Sequence, residues 1–197
     1  MAKRRLKPST VIMPVPAALI SCQQIGGKAN IVTIAWIGVV CSRPPLLALG
    51  IRPSRFSHGL IQDSGQLVVN IPSTELLNKV DWCGLVSGRD RDKFHEAELT
   101  TISAAEVGPP LIQECPLNLE CQLRQVIPLG SHDLFLAEVV ALWVDEDVLD
   151  ASGQVDVAKL EPLAYCPGVY EYWGLSRCLG RYGASGEGAH RPWREES

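Results

Sequence analysis

Apolar residues along this chain gather in short runs broken by glycine and proline, and the longest, Ile31 to Val40, is rich in β-branched side chains. Strands favour that composition. The pattern predicts a strand entered through the Gly26-Gly27 turn and ended by Pro44-Pro45. Asn30 and Thr33 interrupt the run, and polar groups placed there need partners in the protein, in water or in a ligand. Ala17 to Gln23 reads as the strand across the turn, Leu46 to Ile51 as a third apolar run, and Leu67 to Asn70 as a strand halted by Pro72. Between the last two, Ser54 or Ser57 is expected to cap a short helix that Gly65 stops. Ser73 or Thr74, with Glu75 close behind, opens a second helix through Leu76, Leu77 and Val80, and Ser87 to Phe94 is a loop or a new helix start.

Further on, Leu117, Leu119, Cys121 and Leu123 alternate with Asn118, Glu120, Gln122 and Arg124, the period-two signature of a half-buried strand. Leu134 to Val144 is apolar on both faces apart from Glu138 and should be covered on both, with a partner subunit as one candidate cover. Many strands, short turns and two or three small helices predict a mainly β fold, an antiparallel barrel with helical excursions. Tyr165, Tyr170, Tyr172 and Trp173 are candidates to dock on the barrel or on a neighbouring chain. From Gly180 onward the chain is rich in glycine, at Gly180, Gly183, Gly186 and Gly188, and with Arg181, Arg191 and Arg194 around them it has little to bury. The expected organisation is one domain over residues 1–165 and a partly flexible C-terminal extension over residues 166–197.

A net charge of −4 supplies no global basic field, so nucleic acid is not an expected partner. No apolar run is long enough to span a bilayer as a helix, and the basic Lys3, Arg4, Arg5 and Lys7 lead into a segment interrupted by Pro14 and Pro16. The seven cysteines include no Cys-x-x-Cys spacing, which argues against a zinc site and a thioredoxin-type motif and fits reduced thiols in the cytoplasm. No metal and no membrane are expected.

Candidate chemistry is sparse. Arg55 and Ser57 sit at a helix start, where free N–H groups and a guanidinium suit a phosphate, although a capping serine beside a solvated arginine is the plainer reading of either alone. Ser87 and Lys93 form a second candidate, flanked by Arg89, Asp90, Arg91 and Asp92, whose charges nearly cancel in what reads as a self-paired turn. Together with Asn30 and Thr33 they suggest a nucleotide or cofactor phosphate. His132 stands at the entrance of the long strand, and His58 has a slightly lower standing. There is no Gly-x-Ser-x-Gly elbow, since Gly183-Ala-Ser185-Gly ends in Glu187, and no Gly-x-Gly-x-x-Gly after a strand. The lack of acid–base machinery suits cofactor chemistry, in which the protein binds and orients.

The ordered series Pro14-x-Pro16-Ala17, Asn30-Ile31-x-Thr33-x-Ala35-Trp36, Cys41-Ser42-x-Pro44-Pro45, Arg55-x-Ser57, Val69-Asn70-Ile71-Pro72, Ser87-Gly88-Arg89-x-x-Asp92-Lys93-Phe94, Glu114-Cys115-Pro116 and Gly130-x-His132 resembles the flavin reductase-like, FMN-binding split-barrel proteins. Many flavin reductases carry small hydroxyl residues where this chain has Ala35-Trp36, and the departure favours the flavoredoxin-like branch. The resemblance implies a split-barrel homodimer with FMN near the subunit interface. It implies that Asn30, Thr33, Ala35 and Trp36 line the flavin ring and its ribityl chain, that Arg55, Ser57, Ser87 and Lys93 hold the phosphate, and that His132 lies near the flavin or a nicotinamide donor. The implied activity is that of an FMN-dependent oxidoreductase reduced by NAD(P)H or a redox protein partner, with FMN retained or released. The competing reading is a flavin-binding module of the same fold without turnover.

Overall fold

In the computed structural model, which describes residues 1–180, the Gly26-Gly27 turn forms as expected, Gly26 holding φ +67° between two antiparallel strands. The chain order is β1 (Val15–Pro16), β2 (Ala18–Gln23), β3 (Ala29–Ile34), β4 (Ile37–Ser42), β5 (Pro45–Ile51), α1 (Phe56–Ser64) and β6 (Gln66–Ile71). A 3-10 turn, Thr74–Leu76, then leads into α2 (Leu77–Leu85), α3 (Lys93–Glu96), β7 (Thr101–Ile102), β8 (Leu111–Ile112), β9 (Leu117–Pro128) and β10 (Asp133–Val144). α4 (Val157–Leu160), β11 (Leu163–Cys166) and β12 (Glu171–Gly174) follow. Seven strands pair antiparallel in the order β3-β2-β6-β9-β10-β5-β4, and a small sheet has the order β1-β11-β12. The fold is mainly β with short helices, an antiparallel split barrel.

The run from Ile31 to Val40 is two strands rather than one. The chain leaves β3 at Ala35-Trp36, and β3 and β4 become the opposite outer strands of the seven-stranded sheet. Composition does not reveal this break, because Gly50 on β5 makes it: its N–H donates to the Trp36 carbonyl at 2.8 Å, and a Cβ there would stand 3.2 Å from that of Trp36. Pro44-Pro45 ends the run as expected, but Pro45 already opens β5.

Neither serine caps α1. Arg55 is its N-cap, without a side-chain bond to the helix, while Ser57 lies inside the helix and is buried. The helix stop at Gly65 holds, with φ +67° and its N–H on the Ile61 carbonyl. The polar side of β9 is likewise not open to water. Segment 103–112 lies over it, and buried Glu120 accepts the N–H groups of Ala105, Glu106 and Val107 at 2.9, 2.6 and 3.1 Å and the Trp143 indole N–H at 2.6 Å. Alternation recorded the two faces correctly, and the carboxylate's hydrogen bonds explain how the polar one is buried. On β10, Phe135 and Ala137 are buried, whereas Leu142 and Trp143 are exposed.

One core, with Ile20, Leu49, Leu67 and Phe135, fills the barrel. A second, with Leu19, Ile31, Val80 and Cys83, seats α2 and α3 on the outside of β2 and β3, and Tyr165 and Tyr172 pack against it. β11 spans residue 165 and pairs with β12, so regular structure continues through Gly174. The expectations for residues 181–197, including Arg181, Arg191 and Arg194, lie outside the described residues. Among the described residues Cys22, Cys83, Cys115 and Cys121 are buried thiols, no cluster of His, Cys, Asp or Glu could hold a metal ion, and no helix is long and apolar enough to cross a membrane.

Candidate functional site

The two cores leave a cavity of about 860 Å³ between the split of the barrel and α2, within the range of small-molecule sites. Asn30, Thr33, Ala35, Trp36, Arg55, Ser57, Ser87, Lys93 and His132 all line it. These residues come from four separate stretches of chain, and the tertiary structure brings every one of them to the same cavity. His58 does not join them; its Nε2 pairs with Asp133 at 2.8 Å and its ring meets Phe135 edge-on.

The carboxyl end of α2 organises the polar side. The last carbonyls of a helix have no partner within it. Here Lys93 Nζ donates to the Cys83 carbonyl at 2.7 Å and to the Ile31 carbonyl of β3 at 2.8 Å, and Arg55 Nη1 donates to the Gly84 carbonyl at 3.0 Å. The Thr33 hydroxyl donates to the Val80 carbonyl one turn earlier. Both cations therefore face the negative end of the helix dipole while lining the cavity. Burial pulls the Lys93 ammonium below the ordinary lysine range, Cys83 opposes that pull, and Arg55 adds to it. Asn30 Nδ2 donates to Ser57 Oγ at 2.8 Å, tying β3 to the first turn of α1. Asn30 Oδ1 lies so close to Gly88 that a Cβ there would stand 1.9 Å away, so the loop after Ser87 closes over Asn30 only with glycine at this position.

The remaining walls are aromatic. Trp36 and His132 stack with ring centroids 5.9 Å apart and planes 9° from parallel, and Ser131 Oγ lies 2.9 Å from His132 Nδ1. Burial, and secondarily Arg52, lowers the His132 imidazole pKa. From β11 and the β11–β12 turn come Tyr165 and Tyr170, and from β12 comes Tyr172, whose hydroxyl donates to Asp81 at 3.3 Å. Burial, then Asp81, pushes the Tyr172 phenol up to about 12. Sequence reasoning placed these tyrosines as docking residues and missed that they line the cavity. Their signal was their density, Tyr165, Tyr170 and Tyr172 within eight positions, but only the hairpin turns them toward α2.

The turn at Arg89 to Asp92 is not self-paired. Arg91 bonds to Glu96 and lies over the Trp82 ring, while Arg89 lies over Phe56. Arg52, Arg55, Arg89 and Lys93 face the cavity against Asp81 and Asp90. A cationic, donor-rich end beside flat aromatic walls fits a ligand that joins a phosphate to a planar ring.

A model of the family described as "Flavin reductase like domain" matches residues 10–174. Among solved structures, the flavoredoxin of Desulfovibrio vulgaris (Miyazaki F) superposes with a TM-score of 0.89 at 29% identity, covering 94% of this chain and 100% of that one. A flavoredoxin from Methanosarcina acetivorans gives 0.87 at 29% identity, covering 94% and 98%. A curated relative from Archaeoglobus fulgidus is 36% identical over 113 residues, 57% of this chain; the match takes in 64% of that relative, under two thirds of its length.

Proposed function

Because this chain belongs to the flavin reductase-like family, we propose that the cavity holds FMN and that the protein is an FMN-dependent oxidoreductase of the flavoredoxin or flavin reductase type. The observation that carries this reading is the convergence of nine residues, singled out from separate motifs, on one cavity with a cationic end and aromatic walls. Similarity to two flavoredoxins over nearly the whole chain supports it.

In this reading Arg55, Ser57, Ser87 and Lys93 hold the phosphate, Asn30 and Thr33 lie along the ribityl chain, and Ala35, Trp36 and His132 border the ring. FMN would supply the electron transfer, with NAD(P)H or a protein donor as reductant. The chain's own part is orientation. The helix carbonyls of Cys83 and Gly84 fix the two cations before a ligand arrives, and the Trp36–His132 stack presents a flat wall. The exposed Trp36, Val39, Val40 and Leu129, on and beside the outer strand β4, support a homodimer that covers this edge.

The test is the visible absorbance spectrum of purified, extensively desalted protein. Flavin bands near one FMN per chain support a retained prosthetic group. A colourless protein that regains them with added FMN and then oxidises NAD(P)H supports flavin as substrate. A protein that takes up FMN without turnover above free flavin is a binding module, and one that never takes it up refutes the reading.

A further inference from the structure

His58 and Asp133 form a polar pair in the wall of the barrel core, and His58 lines no part of the cavity. His58 is 8% exposed, and its Nε2 lies 2.8 Å from Asp133 Oδ2. Its ring also meets Phe135 edge-on, with centroids 5.0 Å apart and planes at 87°. Asp133 and Phe135 stand two apart on β10 and so share a face of that strand. One imidazole from α1 therefore holds both. An apolar side chain against Phe135 would carry no desolvation cost, so the hydrogen bond to Asp133 contributes direction more than stability.

The residue before Asp133 is His132. On the other face of β10, His132 and Leu134 line a hollow together with Trp36, and the His132 ring stacks on that indole at 5.9 Å with planes 9° apart. The loop that brings His132 there is thinly held. Its hydrogen bonds, the Leu129 N–H to the His132 carbonyl at 3.0 Å and Ser131 Oγ with His132 Nδ1 at 2.9 Å, both lie within the loop, where Leu129 and Ser131 are exposed. The turn of α1 that carries His58 also carries Ser57, which Asn30 Nδ2 meets at 2.8 Å. Adjacent residues of one helix turn thus reach the polar end of the cavity and, through Asp133, its aromatic end.

The geometry points to His58 as a positioning residue: through Asp133 it fixes where His132 stands and so keeps the Trp36–His132 wall in place. Its bearing on electron transfer rests on the flavin reading above; its hold on the stack does not.

Proton NMR of the ligand-free protein tests that hold, at a pH of about 8, where the His132 imidazole, lowered from 6.5, is neutral. Stacking on Trp36 shields the His132 ring protons, by an amount read as the difference between wild type and Trp36→Leu. His58→Leu keeps an apolar contact with Phe135 and removes the donor, whereas His58→Gln keeps an N–H for Asp133. Thermal unfolding confirms that the variants fold. His58→Leu is expected to lose most of the shielding and His58→Gln to retain it. Asp133→Ala removes the same bond from its other side, is expected to match His58→Leu, and decides the matter if that variant does not fold. Shielding kept in folded His58→Leu, lost equally in His58→Gln, or missing from wild type overturns the assignment.

With FMN bound, His58→Leu is expected to slow anaerobic flavin reduction by about tenfold to a hundredfold at unchanged FMN affinity, with His58→Gln restoring the rate. Shielding lost at an unchanged rate supports the hold on His132 and overturns its bearing on electron transfer. If wild type takes up no FMN, the flavin reading fails by itself, and the shielding alone decides on His58.

Discussion

Lys93 Nζ donates to the carbonyl of Cys83 at 2.7 Å, so a side chain from the start of α3 closes the carboxyl end of α2. The ammonium is thus a structural member as well as a cavity wall. Lys93→Met should lower stability by about 1.5–3 kcal/mol even without ligand, because it removes charge-assisted bonds and strands two carbonyls. Urea unfolding of the ligand-free variant checks this; an unchanged midpoint would mean that the joint does not depend on Lys93.

Gly88 is required by contact rather than by an unusual backbone angle, since a Cβ there would meet Asn30 Oδ1 at 1.9 Å. Gly88→Ala should push the loop off Asn30, cost about 1–3 kcal/mol, and weaken FMN. Thermal unfolding and flavin titration report the two effects separately.

His132 titrates below its ordinary value because of burial and then Arg52. The folded state therefore resists protonation, and its contribution to stability is lost as pH falls from 6.5 through the folded value. Arg52→Gln removes a like charge and should raise the His132 midpoint, which NMR titration of the ring protons measures directly. His132→Ala should slow anaerobic flavin reduction while leaving FMN affinity alone, which stopped-flow reduction and titration together decide.

Burial raises the Cys22 and Cys83 thiols from 9.0 to about 11 each. The unfolded chain ionises them first, so stability should fall between pH of about 9 and about 11, by about 1.4 kcal/mol per pH unit for each thiol. Cys83→Ala should flatten that slope by one thiol's share, as seen by unfolding across the alkaline range.

Glu120 is the anchor of segment 103–112. Burial raises its pKa, but the N–H groups of Ala105 and Glu106, the Trp143 indole and the Val107 N–H outweigh this and hold it below the ordinary glutamate range. The stability it contributes is present above pH 4.5 and lost as pH falls through the folded value. Glu120→Ala should speed hydrogen exchange at Ala105, Glu106 and Val107 while leaving β2 and β6 protected.

Local pattern was enough for much of the fold. Gly26 and Gly65 are positions where the backbone turns left-handed, and glycine takes that conformation without steric cost, so their effects are visible in a few residues. The alternation along β9 gave the two faces of that strand. The motifs also named nine residues that reach one cavity. Tertiary structure decided the rest. Gly50 against Trp36 split one apolar run into the two outer strands, a contact between residues far apart in sequence. Asn30 drew Ser57 into α1 as a hydrogen-bond partner, where local propensity offers it as a cap. Phe56 took Arg89 away from its charged neighbours, because an aromatic face competes for a guanidinium only once the fold has brought the two together.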